Sequence, residues 1–185
     1  MEDNYLDSAR KQFEYYKILG EKTFAQLNND DLFWQFNEQS NSIAIIVNHL
    51  YGNMKSRWSD FLTTDGEKEW RNRDEEFEPI LKTKIELIEK WETGWGCVFE
   101  ALSSINKTNF KTEILIRNQG HSIVEAVNRQ LMHYAYHIGQ IVYIGRMIKG
   151  SDWKSLSIAK GKSGDFNRKK FAKGKHKGHF TDDIR

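Results

Sequence analysis

Two histidines stand four residues apart in the stretch MHYAYHIGQI, which covers residues 132–141. Residues at this spacing are neighbours on one face of an α-helix, so the rings of His133 and His137 can reach one point beside it. Neutral imidazole nitrogen is a good ligand for divalent transition metals. The spacing therefore predicts part of a metal site, and the alternative is a pair of core histidines bonded to a hydroxyl or a carbonyl.

A third ligand has to come from another helix, and the stretch SIAIIVNHLYGNM offers His49 beside an apolar stripe. Three histidines with one open coordination position match the plan of catalytic zinc sites, where a water is activated or a substrate group enters. Zinc proteases carry His-Glu-x-x-His on such a helix, but Tyr134 stands here in place of the glutamate that acts as general base. The sequence therefore excludes that class of protease.

The predicted metal ligands are His49, His133 and His137, and the donor set favours Zn²⁺ or Ni²⁺ over Fe²⁺ or Mn²⁺. A water or a low-molecular-weight thiol at the open position would lose a proton, which makes thiol transfer or hydrolysis the expected reaction. The alternative is a non-catalytic binding or stress-response module in which the ion only pins two helices together. An open position facing a cavity argues for catalysis, whereas four protein ligands argue for a structural site.

Several further residues are candidates for supporting roles. Asn53, Gln140 and Tyr136 are predicted to make polar contacts around the ligands. Trp91 and Trp95 lie one helical turn apart and could wall a pocket, although an aromatic core is favoured.

The other histidines are predicted to lie apart from the site. His121 precedes His133 by twelve residues, about 18 Å along a helix axis, which favours a turn residue over a substrate contact. His176 and His179 lie near the C-terminus and are expected to be solvated.

Four amphipathic segments position these residues, and they predict an all-α four-helix bundle. The segments cover residues 6–27, 42–61, 79–105 and 122–150, and residues 63–79 form a polar connection. Pro79 suits the first turn of the third helix, and Ser122 with Glu125 forms the Ser-x-x-Glu capping box of the fourth. Polar and apolar residues alternate within residues 107–120, which predicts a short extended segment or hairpin before the last helix.

We predict a bundle domain over residues 1–172, which includes a short helix capped by Ser163, and a basic, flexible tail over residues 173–185. Residues 160–185 hold nine Lys or Arg and three Asp, a charge of +6, so the remainder carries −4 of the net +2. Such a tail could bind phosphates, but it contains no nucleic-acid reading motif. A solvated tail, or one bound across the acidic body, is therefore favoured over a nucleic-acid partner.

Composition and terminal sequence give expectations about location and assembly. No apolar run approaches the roughly 20 residues of a membrane span, and the N-terminus lacks the layout of a signal peptide. Cys97 is the only cysteine, so no intrachain disulfide can form. A cytoplasmic protein is expected. The 11 Phe, 7 Tyr and 6 Trp supply more apolar surface than one small bundle needs, which favours a homodimer.

The blocks NRQLMHYAYHIGQIVYIGRMI and SIAIIVNHLYGNMKSRWSDFL resemble the DinB/YfiT-like superfamily of metal-binding four-helix bundles. The resemblance covers most of residues 5–172 and is closest to a bacterial family of unknown function. It implies a metal triad that falls on His49, His133 and His137, an antiparallel bundle and frequent homodimers. Relatives in the superfamily include transferases and isomerases in which a metal ionises the thiol of bacillithiol or mycothiol. Membership does not by itself transfer a reaction.

Overall fold

A computed structural model describes residues 2–183 of the chain. Met1 and residues 184–185, the outer ends of the two predicted regions, lie outside the described residues. The described chain is mostly helical, with one small two-stranded sheet, so the prediction of an all-α protein is confirmed. The helices are α1 (Glu2–Phe24), α2 (Asn29–Phe33), α3 (Ile43–Trp58), α4 (Lys84–Ser104), α5 (Ile123–Lys149) and α6 (Ser163–Ala172). Three short 3-10 helices cover Glu75–Phe77, Gly150–Asp152 and Phe180–Asp183.

The four long helices contact one another in a closed cycle, because α1 and α3 each contact both α4 and α5. Between them lies an aromatic cluster whose side chains are each 2% exposed or less; its members are Phe13, Trp58, Trp91, Trp95 and Tyr134. The aromatic core that was favoured for the two tryptophans of α4 is therefore confirmed. None of the described helices combines the length and hydrophobicity that a membrane-spanning helix needs.

Side-chain caps fix where the two helices that carry the histidines begin. The Ser42 hydroxyl accepts a hydrogen bond from the backbone N–H of Ile45 at 3.2 Å. Ser122 and Glu125 form the predicted capping box at the start of α5. Each cap satisfies backbone donors that a helix end leaves unpaired, so the register of both helices is set by local sequence.

Helix α4 begins at Lys84 and not in the turn after Pro79, so that boundary was predicted wrongly. Thr83 accepts a hydrogen bond from the backbone N–H of Glu86, whose carboxylate accepts the backbone N–H of Thr83 in return. This reciprocal capping box outweighs the helical φ that proline supplies. Ile80 consequently precedes the helix and is 52% exposed.

The segment predicted as extended contains a hairpin, in which β1 (Ile114–Ile116) pairs antiparallel with β2 (Gln119–His121). The two turn residues, Arg117 and Asn118, have positive φ values of 56° and 59°, as a type I′ turn requires. The carboxylate of Asp65 accepts both of their backbone N–H groups, at 2.8 and 2.7 Å. The hairpin turn is thereby fixed against the segment that follows α3.

The C-terminal end of the described chain contacts α1. His179 Nε2 lies 3.0 Å from the Ser8 hydroxyl, and the ring of Phe180 lies 6.2 Å from that of Tyr15. The expectation of a solvated His179 is therefore wrong, because its ring has a specific partner on α1. His176 is exposed, as predicted.

Helix α6 is the short helix predicted near residue 163. Ser163 is its first residue and not its cap, since the cap position belongs to Lys162, which makes no side-chain capping bond.

Candidate metal centre

Helices α3 and α5 bring together the three histidines that the sequence singled out. His133 Nε2 lies 3.3 Å from His49 Nε2 and 3.1 Å from His137 Nε2. One nitrogen from each ring lies within 4.8 Å of the other two. The i, i+4 spacing on α5 and the position of His49 on the facing side of α3 therefore produce one compact cluster.

The ring of His49 is held by a buried carboxylate. Its Nδ1–H donates to Glu76 Oε2 at 2.9 Å, and the two side chains are 4% and 8% exposed. Arg71 donates to the same carboxylate from Nε at 2.7 Å and from Nη2 at 3.0 Å. Burial alone would raise the pKa of Glu76, but the hydrogen bonds from His49 and Arg71 outweigh it and lower that pKa. An ionised Glu76 fixes the proton of His49 on Nδ1 and leaves a lone pair on Nε2.

The ring of His137 is held in the same way by the residue predicted for that role. Gln140 Oε1 accepts a hydrogen bond from His137 Nδ1–H at 2.9 Å, which also leaves a lone pair on Nε2. Gln140 therefore contacts a candidate ligand directly, as expected.

The remaining ring, His133, cannot donate a hydrogen bond to both His49 and His137. Its Nδ1 is buried without a hydrogen-bond partner among the described residues, and its Nε2 faces two lone pairs. A proton on His133 Nε2 could be donated to only one of them. The lone pair of at least one neighbouring ring is therefore left without a donor, and a cation between the rings would satisfy it.

Both histidines of α5 are neutral at neutral pH. Burial, the nearby rings of His137 and His49, and the charges of Arg71 and Arg57 lower the pKa of His133 to about 3. Burial and the nearby His49 ring lower the pKa of His137 to about 4, although the hydrogen bond to Gln140 acts in the opposite direction. Neutral imidazole is the form that binds a metal ion, so little proton release would oppose binding.

Two of the three nitrogen–nitrogen distances also fit a tetrahedral ion. With metal–nitrogen bonds of about 2.0–2.1 Å, two ligands at a tetrahedral angle lie about 3.3–3.4 Å apart. The two measured Nε2–Nε2 distances are 3.3 and 3.1 Å. Metal-bound histidines usually donate the other ring N–H to a carboxylate or a carbonyl, as His49 and His137 do here. The residues present therefore fit a divalent transition-metal ion.

The other predicted residues lie at the edge of the cluster. Asn53 is buried, but its Oδ1 accepts a hydrogen bond from the Tyr134 hydroxyl at 3.1 Å and not from a histidine. Tyr136 is 63% exposed and packs edge-on against His137, with ring centroids 4.9 Å apart. His121 ends β2 and does not belong to the cluster.

The sequence interpretation missed Glu76 and Arg71, which lie in the segment predicted only as a polar connection. No local pattern distinguishes Glu76 from the neighbouring Glu75. The first 3-10 helix turns Glu76 inward, and Asn48 of α3 secures it by donating to the Glu76 carbonyl at 2.9 Å. The signal that could have found this partner is chemical, since a metal-ligating histidine commonly needs a carboxylate on its second nitrogen.

A cavity of about 230 Å³ opens beside the cluster. Its lining residues are His49, Asn53, Arg57, Arg71, Arg73, Arg117, Arg129, Gln130 and His133. Two of the three candidate ligands thus border a space that a small molecule can enter. In the described part of the chain, no fourth histidine, cysteine, aspartate or glutamate joins the cluster.

Comparisons with known proteins address the family but not the activity. Neither the curated proteins nor the solved structures gave a match to this chain. Residues 1–162 match the model of a family described as "Protein of unknown function (DUF1572)". This span contains the three histidines, Glu76 and the whole lining of the cavity. Because the match covers most of its length, the chain belongs to the DUF1572 family.

Proposed function

We propose that His49, His133 and His137 bind one divalent transition-metal ion and that the chain is a metal-dependent enzyme. The observation that carries this proposal is the convergence of the three Nε2 atoms. In His49 and His137 the Nδ1–H is bonded to Glu76 and Gln140, so Nε2 presents a lone pair to the cluster. The nitrogen-only donor set favours Zn²⁺ or Ni²⁺ over Fe²⁺ or Mn²⁺.

The proposal includes a DinB/YfiT-like four-helix bundle. The closed cycle of contacts among α1, α3, α4 and α5 supports this architecture. The positions of the candidate ligands support it as well, since one lies on α3 and two lie on α5, the second and fourth long helices.

When bound, the ion would supply a Lewis acid that acidifies a water or a low-molecular-weight thiol, so the proposed reaction is hydrolysis or thiol transfer. The chain's own residues prepare the site for this chemistry. Glu76 and Gln140 hold two of the rings in fixed orientations, and Arg71 holds Glu76. The cavity beside His49 and His133 admits the reacting molecule.

A non-catalytic module in which the ion only pins α3 to α5 is the second candidate. A structural site of this kind normally has four protein ligands. The presence of only three candidate ligands among the described residues, together with the adjoining cavity, favours the enzyme.

Metal content tests the proposal directly. Protein made without a polyhistidine tag is stripped with a chelator and titrated with Zn²⁺ and Ni²⁺, and bound metal is measured by elemental analysis. We expect one ion per chain for the wild type and for His121→Ala, which alters a histidine outside the cluster, and a loss of stoichiometric binding for His49→Ala. Unchanged metal content in His49→Ala would show that the three rings are not the ligands.

Turnover separates the two candidates. The metal-loaded protein is screened against thiol-transfer and ester substrates, with the metal-free protein as the control. Metal-dependent turnover supports the enzyme. A large loss of melting temperature on chelation, with no turnover of any substrate, supports the non-catalytic module.

We also propose that the protein forms a homodimer. Four large side chains on α5 share an exposed stripe and are 44–68% exposed; they are Met132, Tyr136, Tyr143 and Met147. Sedimentation velocity of the wild type tests the proposal, and a monomer at micromolar concentration would contradict it.

A further inference from the structure

Five arginines line the cavity beside the histidine cluster, and they divide into a buried pair and an exposed rim. The side chains of Arg57 and Arg71 are only 6% and 2% exposed. Arg73, Arg117 and Arg129 are exposed at the mouth. They come from α3, the connection, the hairpin turn and α5, so the fold gathers them from four separate parts of the chain.

Fewer acidic groups surround these arginines. Glu67 is the shared partner of the buried pair and of Arg117, at 3.0–3.3 Å, and Glu76 bonds to Arg71. Asp65 is also near, but its oxygens accept backbone N–H groups, including both of those in the hairpin turn. Five guanidinium groups therefore face three carboxylates, and the cavity is electropositive before any metal ion binds.

Two of the rim arginines keep donors for a ligand. In the described chain, no carboxylate lies within ion-pair distance of Arg73 or Arg129. Arg73 lies over the ring of Phe77, with Cζ 5.2 Å from the centroid, and that ring stacks on His49 at 4.5 Å. Arg129 Nη1 lies 3.3 Å from His121 Nε2. Each guanidinium has five N–H donors, so most remain available.

A buried amide gives independent evidence for a ligand. Gln130 lines the same cavity and is 4% exposed, and its Oε1 is buried without a hydrogen-bond partner in the described structure. Buried polar atoms are nearly always paired, so an orphaned acceptor beside a cavity points to a bound group that donates an O–H or N–H to it.

We propose that this cavity binds a small molecule whose oxyanion group, a carboxylate or a phosphate, is held by Arg73 and Arg129 and whose O–H or N–H group donates to Gln130 Oε1. The planar guanidinium binds both oxyanions through paired hydrogen bonds. A volume of about 230 Å³ is below the roughly 300–1,000 Å³ of drug-sized sites, which indicates a small ligand. The inference rests on the proposed function in one respect: the part of the ligand away from its oxyanion would react at the histidine cluster.

Calorimetric titration tests the proposal. Inorganic phosphate and acetate are titrated separately into zinc-loaded protein, with sodium chloride holding the ionic strength constant, and the anion that binds identifies the preferred group. We expect saturable binding by the wild type and at least about a tenfold loss of affinity in Arg73→Gln/Arg129→Gln. Arg146→Gln/Arg168→Gln removes the same charge at exposed positions outside the cavity and is expected to bind like the wild type.

The outcomes separate this inference from the proposed function, because zinc content is measured in the same samples. Zinc binding without saturable binding of either anion overturns the inference alone, as does an equal loss of affinity in both double variants. If the wild type binds no zinc, the proposed function fails. Titration of the metal-free protein then decides the inference, since the arginines and Gln130 do not depend on the ion.

Discussion

Replacement of Glu76 by glutamine is the sharpest test of how the histidine cluster is held. The carboxylate accepts three hydrogen bonds, one from His49 and two from Arg71, at 2.7–3.0 Å. Glutamine keeps the shape but has only one acceptor oxygen, and its NH₂ group must face either the His49 N–H or the Arg71 guanidinium. In either orientation a donor faces a donor in a buried site.

The substitution is expected to weaken zinc binding because it loosens the orientation of His49. Loss of a carboxylate that orients a metal-binding histidine typically lowers metal affinity 10–100-fold. This factor corresponds to about 1.4–2.7 kcal/mol of binding free energy. The three histidines themselves are unchanged, so Glu76→Gln should still bind one zinc ion per chain, with a Kd raised by that factor.

Competition against a chromophoric chelator measures this Kd, and circular dichroism checks that the variant is folded. Glu75→Gln is the matched control, because it makes the same chemical change at the adjacent, exposed position. A Kd within twofold of the wild type in folded Glu76→Gln would refute the argument that this carboxylate orients His49. An equal loss in Glu75→Gln would instead attribute the effect to net charge.

Two further predictions concern stability. The pKa values of His133 and His137 lie below the ordinary value of 6.5 in the folded protein, so the metal-free protein should be fully stabilised above about pH 6.5 and lose stability as the pH falls toward 4. At pH 5 each ring should lower the free energy of unfolding by about 2 kcal/mol. Urea unfolding should therefore give a lower free energy at pH 5 than at pH 7.5, and this difference should disappear in His133→Gln/His137→Gln. Tyr134→Phe removes a hydroxyl that accepts from Trp58 Nε1–H at 2.8 Å and donates to Asn53 Oδ1 at 3.1 Å. This variant should lose about 1–3 kcal/mol of unfolding free energy with zinc affinity unchanged, and a weaker zinc affinity would show that the bond also positions the cluster.

The parts of the molecule that could be predicted from sequence are those fixed by short-range interactions. Helix α5 is such a case, because apolar periodicity, a Ser-x-x-Glu box and a terminal glycine with φ of 52° all agree. The hairpin is another, since alternation is a local signal. The convergence of His49 with the α5 histidines required only that two amphipathic faces pack together, which is why three residues from two distant segments could be selected together.

The parts that could not be predicted depend on contacts between segments distant in the chain. Glu76 is distinguished from Glu75 by hydrogen bonds from Asn48, His49 and Arg71, and the contact of His179 with Ser8 joins residues 171 positions apart. None of these contacts leaves a periodic pattern. The start of α4 was mispredicted for a different reason. Two local signals, the capping box and the proline, compete there, and the sequence alone does not show which is stronger.

This division has a functional consequence for the site. The long helices contribute the three imidazole rings, and the irregular segments contribute part of what surrounds them. Arg71, Arg73 and Glu76 come from the connection after α3, and Arg117 comes from the hairpin turn. If the rings hold the ion and the arginines select the ligand, changes of Arg73 or Arg117 should alter which anion binds while the metal content stays constant. Exchange of His49 should have the opposite effect, because Arg57, Arg71 and Arg117 are held by Glu67 and Glu76, and Arg129 contacts His121.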